Sequence, residues 1–196
     1  MTTTADTTTT TVETGLTGDY DIDPTHSRIG FAAKHAMVAN VRGQFAGYRA
    51  DVHLDEENPA NSSVRLEIDA ATVDSRNADR DAHLRNADFF DVDNYPTIVF
   101  QSTKVEKTDD DDVYTLIGDL TIKDQTRPVA VEFELTGTTV DPWGNFHAGF
   151  EGRTTVSRRD WGLEWNMPLD KGGVLVSEKV KLEFDIAAVR KTETTA

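Results

Sequence analysis

Apolar side chains recur at every second position through most of this chain, the spacing of β-strands that bury one face. Ile29, Phe31, Ala33 and His35 share one face of an early strand, with His35 ending the apolar row. Val64, Leu66, Ile68 and Ala70 alternate with Arg65, Glu67 and Asp69, so that strand has one wet face. Further rows run Ile98–Phe100, Tyr114–Leu116–Gly118–Leu120–Ile122, Val129–Val131–Phe133–Leu135 and Phe146–Ala148–Phe150. The last row, Val174, Val176, Val180, Leu182, Phe184 and Ile186, carries Glu178 at an otherwise apolar position. That carboxylate belongs either at a rim beside a basic partner or in a polar pocket. Between Val41 and Leu54 the parity changes: Val41 and Phe45 are odd, whereas Tyr48, Ala50, Val52 and Leu54 are even. The change predicts a bulge or kink near Gly47.

One stretch breaks the alternation. Ser75 to Phe90, SRNADRDAHLRNADFF, reads as a short helix over about 78–85 with Asn77 as its cap. Asp81 and Arg85 are spaced to pair across one turn. A helix this short is marginal alone, so packing has to hold it, and Phe89 and Phe90 are the anchors for that packing. About eight strands at hairpin-like spacing plus one short helix predict an all-β fold. The sheet either closes as a barrel or packs as a sandwich, and the long rows favour an eight-stranded antiparallel barrel with the helix near its mouth. Eight closed strands leave an interior that is filled by side chains or holds one small ligand. Ala33, Ala50, Ala70, Gly118 and Ala148 fall on inward rows, and they either leave volume free or are covered by bulky neighbours; pattern alone does not choose.

Composition narrows the function. The net charge of −15 argues against nucleic acid, which needs a basic face, and against docking on anionic headgroups. There are no cysteines, hence no thiolate ligand, disulfide or cysteine nucleophile. No apolar run approaches the roughly 18 residues of a membrane-spanning helix. The threonine-rich start has neither a basic n-region nor an apolar h-region, so a cytoplasmic location is expected. Residues 1–17 and 191–196 read as disordered tails around a single domain of residues 18–190. No G-x-S-x-G, Walker loop or G-x-G-x-x-G occurs. The histidines, His26, His35, His53, His83 and His147, lack the spacings that put two metal ligands together. No metal or cofactor is expected, a composite of His26, His35 and His83 being the residual alternative. Arg76, Arg80, Asp81 and His83, with Arg158 and Asp160 far along the chain, remain as candidate chemistry. Either they hold the helix to nearby acids and carbonyls, or they meet the polar head of a ligand whose tail fills the barrel.

The order of several short motifs resembles the YceI-like, polyisoprenoid-binding proteins. They are Asp23-Pro-Thr-His26-Ser27-Arg-Ile-Gly-Phe31, His35, Val41-Arg-Gly-Gln-Phe45, Arg80-Asp-Ala-His83-Leu84, Asp88-Phe-Phe90, Tyr95-Pro96, Gly118-Asp-Leu120-Thr-Ile122, Arg158-Arg-Asp160-Trp-Gly162 and Val176-Ser-Glu178-Lys-Val180. They run from about Tyr20 to Val189. The resemblance implies a lipocalin-like barrel with an elongated hydrophobic pocket. It also implies a long-chain ligand: an isoprenoid such as a polyprenyl phosphate or quinone, or a fatty-acid derivative. In such a barrel we expect the tail to contact Phe31, Phe45, Tyr48, Phe90, Phe100, Phe133, Phe150 and Phe184. The head is expected at His35, Arg80 and His83. The expected role is transport, storage or sequestration without catalysis, with a homodimer left open. The alternative is an enzyme acting at the mouth through Arg80, Asp81, His83 and Glu178.

Overall fold

In a computed structural model, residues 15–170 and 172–192 are described. Eleven strand segments occur in chain order: β1 (Gly18–Ile22), β2 (Arg28–His35), β3 (Ala39–Phe45), β4 (Tyr48–Leu54), β5 (Ser63–Asp69), β6 (Val73–Asp74), β7 (Thr97–Lys107), β8 (Val113–Ile122), β9 (Gln125–Val140), β10 (Phe146–Ser157) and β11 (Val176–Arg190). The helix α1 (Ala78–Arg85) lies between β6 and β7. Neighbours in the order β1-β4-β5-β7-β8-β9-β10-β11 are hydrogen-bonded, and β11 returns to β1 through Tyr20↔Arg190, so eight antiparallel strands close a barrel.

The three remaining segments are continuations, which reconciles eleven pieces with eight paths. β2 pairs with the same edge of β11 as β1 does, farther toward its start; β3 pairs with β2, and β6 with β3. Each of the first three paths is therefore a bent strand. The first bends at Asp23–Ser27, where proline removes a ladder donor. The second bends at Ala46-Gly47, where the parity change predicted it: Gly47 donates to Thr72 Oγ1 at 2.9 Å and accepts from Asp69 N at 2.9 Å. The third bends at the 3-10 turn Ala70–Thr72.

Beyond these bends β6 pairs with β3 alone, and α1 packs against β6. Arg85 Nε donates to the Ala71 carbonyl at 2.7 Å and Nη2 to that of Val73 at 3.0 Å, satisfying acceptors that a neighbouring strand would otherwise use. Asn77 Oδ1 accepts from Arg80 N at 2.9 Å, as a cap should. The expected Asp81–Arg85 pair does not form. Asp81 turns inward and is buried, accepting from Ser75 N at 2.8 Å and from Ser75 Oγ. Phe89 is buried and Phe90 packs edge-on against Phe45 with ring centres 5.6 Å apart, so this end is held by aromatic packing rather than by an amphipathic helix face.

Ordered chain extends past both ends of the expected domain. Leu16 is buried, Arg190 donates to the Gly15 carbonyl, and Lys191 N donates to Asp19 O at 2.7 Å. Residues 1–14 and 193–196, where the disordered tails were expected, lie outside the described residues.

Candidate functional site

The barrel encloses an apolar cavity of about 310 Å³. Inward rows from every strand path supply its wall. Phe31, Phe100, Phe133, Phe150 and Phe184 line it, and all five are only half-buried although they point inward, because each has a face on the open space. Phe45 and Phe90 line it as well. The barrel stays open partly because glycines sit opposite the largest side chains. A Cβ added at Gly43 would meet the Phe31 ring at 2.4 Å, one at Gly118 the Phe100 ring at 2.5 Å, and one at Gly152 the Phe133 ring at 2.4 Å. Each ring thus lies over a glycine and covers the wall instead of crossing the bore. Of the small inward residues, Ala33 lines the cavity, while Ala70 and Ala148 are packed out of contact with it.

The two ends of the bore differ. At one, Leu16, Leu54, Asp55, Glu56, Pro59 and Ser62 form the lining. Both acids there are engaged: Glu56 Oε2 accepts from Leu16 N at 2.8 Å, and Asp55 accepts from Asn58 N and Asn61 Nδ2, each at 2.8 Å. The Asn61 amide, chiefly, holds the Asp55 carboxyl below its ordinary pKa. At the other end stand Leu84, Phe89, Arg158, Trp161 and Leu163. These last three come from the irregular connection after β10. A 3-10 turn, Arg158–Trp161, stops at Gly162, whose φ of 70° suits glycine, and carries Trp161 back into the core. Trp161 is 2% exposed and its Nε1 donates to the Leu120 carbonyl at 2.9 Å.

Seven of the eight residues expected at a ligand tail line this cavity; Tyr48 does not. It packs against the core from one side and directs its hydroxyl to the Ser27 carbonyl at 3.4 Å. None of the three residues expected at the head lines it. His35 is exposed at the end of β2. Arg80 is turned to Ser75, Nε to its Oγ and Nη2 to its carbonyl, both at 2.7 Å. His83 faces Asp88 at 2.9 Å, its ring wedged edge-on against Phe89 and Trp165. Glu178 is exposed at the rim, accepting from Ser157 Oγ at 3.1 Å with Arg159 Nε at 3.6 Å, which matches the first of its two sequence readings. It touches none of Arg80, Asp81 and His83, so the four groups of the catalytic alternative do not converge. Arg158, one of the groups the sequence offered for a ligand's polar head, does reach the lining, whereas Trp161 and Leu163 were not among the expected contacts. The R-R-D-W-G string ends just before Leu163, and strand parity says nothing about which way a 3-10 turn points its side chains.

Among the described residues no cluster of three or more histidine and acidic side chains is placed to hold a metal ion, and no helix is long and apolar enough to cross a membrane. Residues 20–188 match the YceI-like domain model. A UPF0312 protein of Pseudomonas aeruginosa is 35% identical over 178 residues, 90% of this chain and 89% of that protein. The crystal structure of Burkholderia cenocepacia BcnA superposes with a TM-score of 0.75 at 23% identity, covering 85% of this chain and 99% of that one. A polyisoprenoid-binding domain from Saccharophagus degradans, implicated in plant cell wall breakdown, superposes with a TM-score of 0.63 at 14% identity, covering 88% and 98%.

Proposed function

The chain belongs to the YceI-like domain family, and from that premise we propose that it binds a long-chain isoprenoid lipid in its bore, as a carrier, store or sequestering protein without catalysis. The observation that carries this reading is the apolar cavity of about 310 Å³ running inside a closed barrel, a volume at the lower end of small-molecule sites. A narrow bore lined by phenylalanine, leucine, isoleucine and valine favours a flexible hydrocarbon chain over a polar substrate. Burying a methylene contributes about 0.8 kcal/mol, so one five-carbon isoprene unit contributes on the order of 3–4 kcal/mol. Micromolar affinity needs about 8 kcal/mol net, and association itself costs at least about 4 kcal/mol. About four buried units, roughly 12–16 kcal/mol gross, therefore cover both the cost and the micromolar threshold.

The test is extraction of the purified protein with organic solvent and mass spectrometry of the extract. A prenyl lipid in near-stoichiometric amount is expected, as is saturable uptake of a prenyl quinone or polyprenyl phosphate by the delipidated protein. A lipid-free protein that takes up neither probe would overturn the reading.

A further inference from the structure

Arg158 is 5% exposed and lines the cavity. Its Nε donates to the Ser177 carbonyl at 3.0 Å and its Nη1 to that of Leu163. Its Nη2 is buried with no hydrogen-bond partner, the one side-chain nitrogen or oxygen among the described residues in that position. No carboxylate forms an ion pair with it. Glu178, the nearest acid on β11, is occupied by Ser157 and Arg159 at the surface. Burial, with Arg159 adding to it, pulls the Arg158 pKa down against the opposing effect of Glu178 and Glu164, and a guanidinium stays protonated at neutral pH. The structure therefore places a buried cation that has no ion-pair partner within contact, and one nitrogen with no acceptor, at the wall of a greasy bore. Such a group is unfavourable unless an acceptor meets it, and an anionic oxygen is the acceptor that also neutralises its charge.

The far end is unsuited to an anion. Asp55 and Glu56 line it, and β11 separates the Arg158 contact at Ser177 from the Arg190 end by roughly 40 Å of extended strand. We propose that Arg158 anchors the head of the ligand, and that this head is an anionic oxygen group, a phosphate ester, with the chain running from Arg158 toward Leu16 and Leu54. The proposal rests on the lipid-binding reading above and adds an orientation and a head chemistry to it. A neutral quinone carbonyl would accept the hydrogen bond but leave the buried charge standing.

Binding of a polyprenyl phosphate and of the prenol of the same chain length to delipidated protein tests it, with inorganic phosphate alone as a third probe. The wild-type protein is expected to prefer the phosphate by about tenfold or more, the size of a charge-assisted hydrogen bond. Arg158→Gln should abolish that preference by lowering phosphate affinity more than prenol affinity, and Arg158→Lys should keep part of it, since a point charge replaces a two-pronged donor. Inorganic phosphate should not displace the lipid. Equal wild-type affinity for phosphate and prenol overturns the proposal while leaving lipid binding intact, and needs no variant that folds. A preference that survives in Arg158→Gln, or displacement by inorganic phosphate, overturns it too. Failure of the wild type to bind either lipid overturns both readings.

Discussion

Two arginines stand near opposite ends of the barrel, and the chain treats them differently. Arg190, at the end of β11, lies over the Phe146 ring at 4.0 Å and the Tyr20 ring at 5.7 Å, and donates to the Tyr20 hydroxyl and the Gly15 carbonyl. Its charge is absorbed by aromatic faces and its donors by oxygens, so it works as a cover plate over Tyr20, Phe146, Ala148 and Ala188. Arg158 turns two of its three side-chain nitrogens to backbone carbonyls and leaves the third, Nη2, without a partner. The lesson is that burial alone does not separate a structural cation from a functional one; the tally of its donors does.

The largest effect is expected where the Arg158 end is held together. Trp161 packs into the main core cluster, joins Leu120 by its indole N–H and lines the bore. Trp161→Ala should cost about 3–5 kcal/mol in urea unfolding, the usual range for a large-to-small change in a core. It should also widen the cavity. If the loss is under about 1 kcal/mol, Trp161 does not hold the Arg158 end together.

The wall between the ends is the next place to press. Gly152 pairs with Phe133 on one side and Phe184 on the other, and these two rings lie 5.5 Å apart. A Cβ at 152 would sit 2.4 Å from the Phe133 ring. Gly152→Ala should therefore turn that ring into the bore and cost about 1–3 kcal/mol as overpacking. Uptake of a prenyl lipid should fall more than stability does, because the displaced ring occupies the path of the chain. An unchanged lipid capacity would mean that the bore near Phe133 is not on that path.

Much of this architecture was legible beforehand, and the failures have physical causes. Strand rows, the kink at Gly47 and the Asn77 cap are local features, set by side-chain alternation, backbone freedom and one hydrogen bond, and each appears where the pattern put it. Seven of the expected tail residues reached the cavity because inward parity and aromatic size both survive folding. The head residues did not, because their partners are tertiary. Arg80 is claimed by Ser75, and His83 by Asp88 and two aromatic rings. Asp81 passes over Arg85 for Ser75 for the same reason: a buried carboxylate gains more from two fixed donors than from one exposed pair. Glu178 took the first of its two readings through register. The ladder between β11 and β2 shifts between Val176 and Val180, so the residues there leave the parity of the row and Glu178 turns outward.

The smallest change probes the covered end. Tyr20 is fully buried, and its hydroxyl donates to the Leu16 carbonyl at 2.8 Å while accepting from Arg190. Burial raises its pKa, so the phenol remains a neutral donor across the physiological range. Tyr20→Phe keeps the ring under Arg190 and removes only the hydroxyl, leaving the Leu16 carbonyl without its donor. A loss of about 1 kcal/mol is expected, the net worth of one such hydrogen bond. Affinity for a prenyl phosphate should stay within about twofold, since the head is placed at the other end and this hydroxyl belongs to the cover. A selective loss of phosphate affinity in Tyr20→Phe, with stability unchanged, would reverse the assignment of the two ends and make Arg190, not Arg158, the group that meets the ligand.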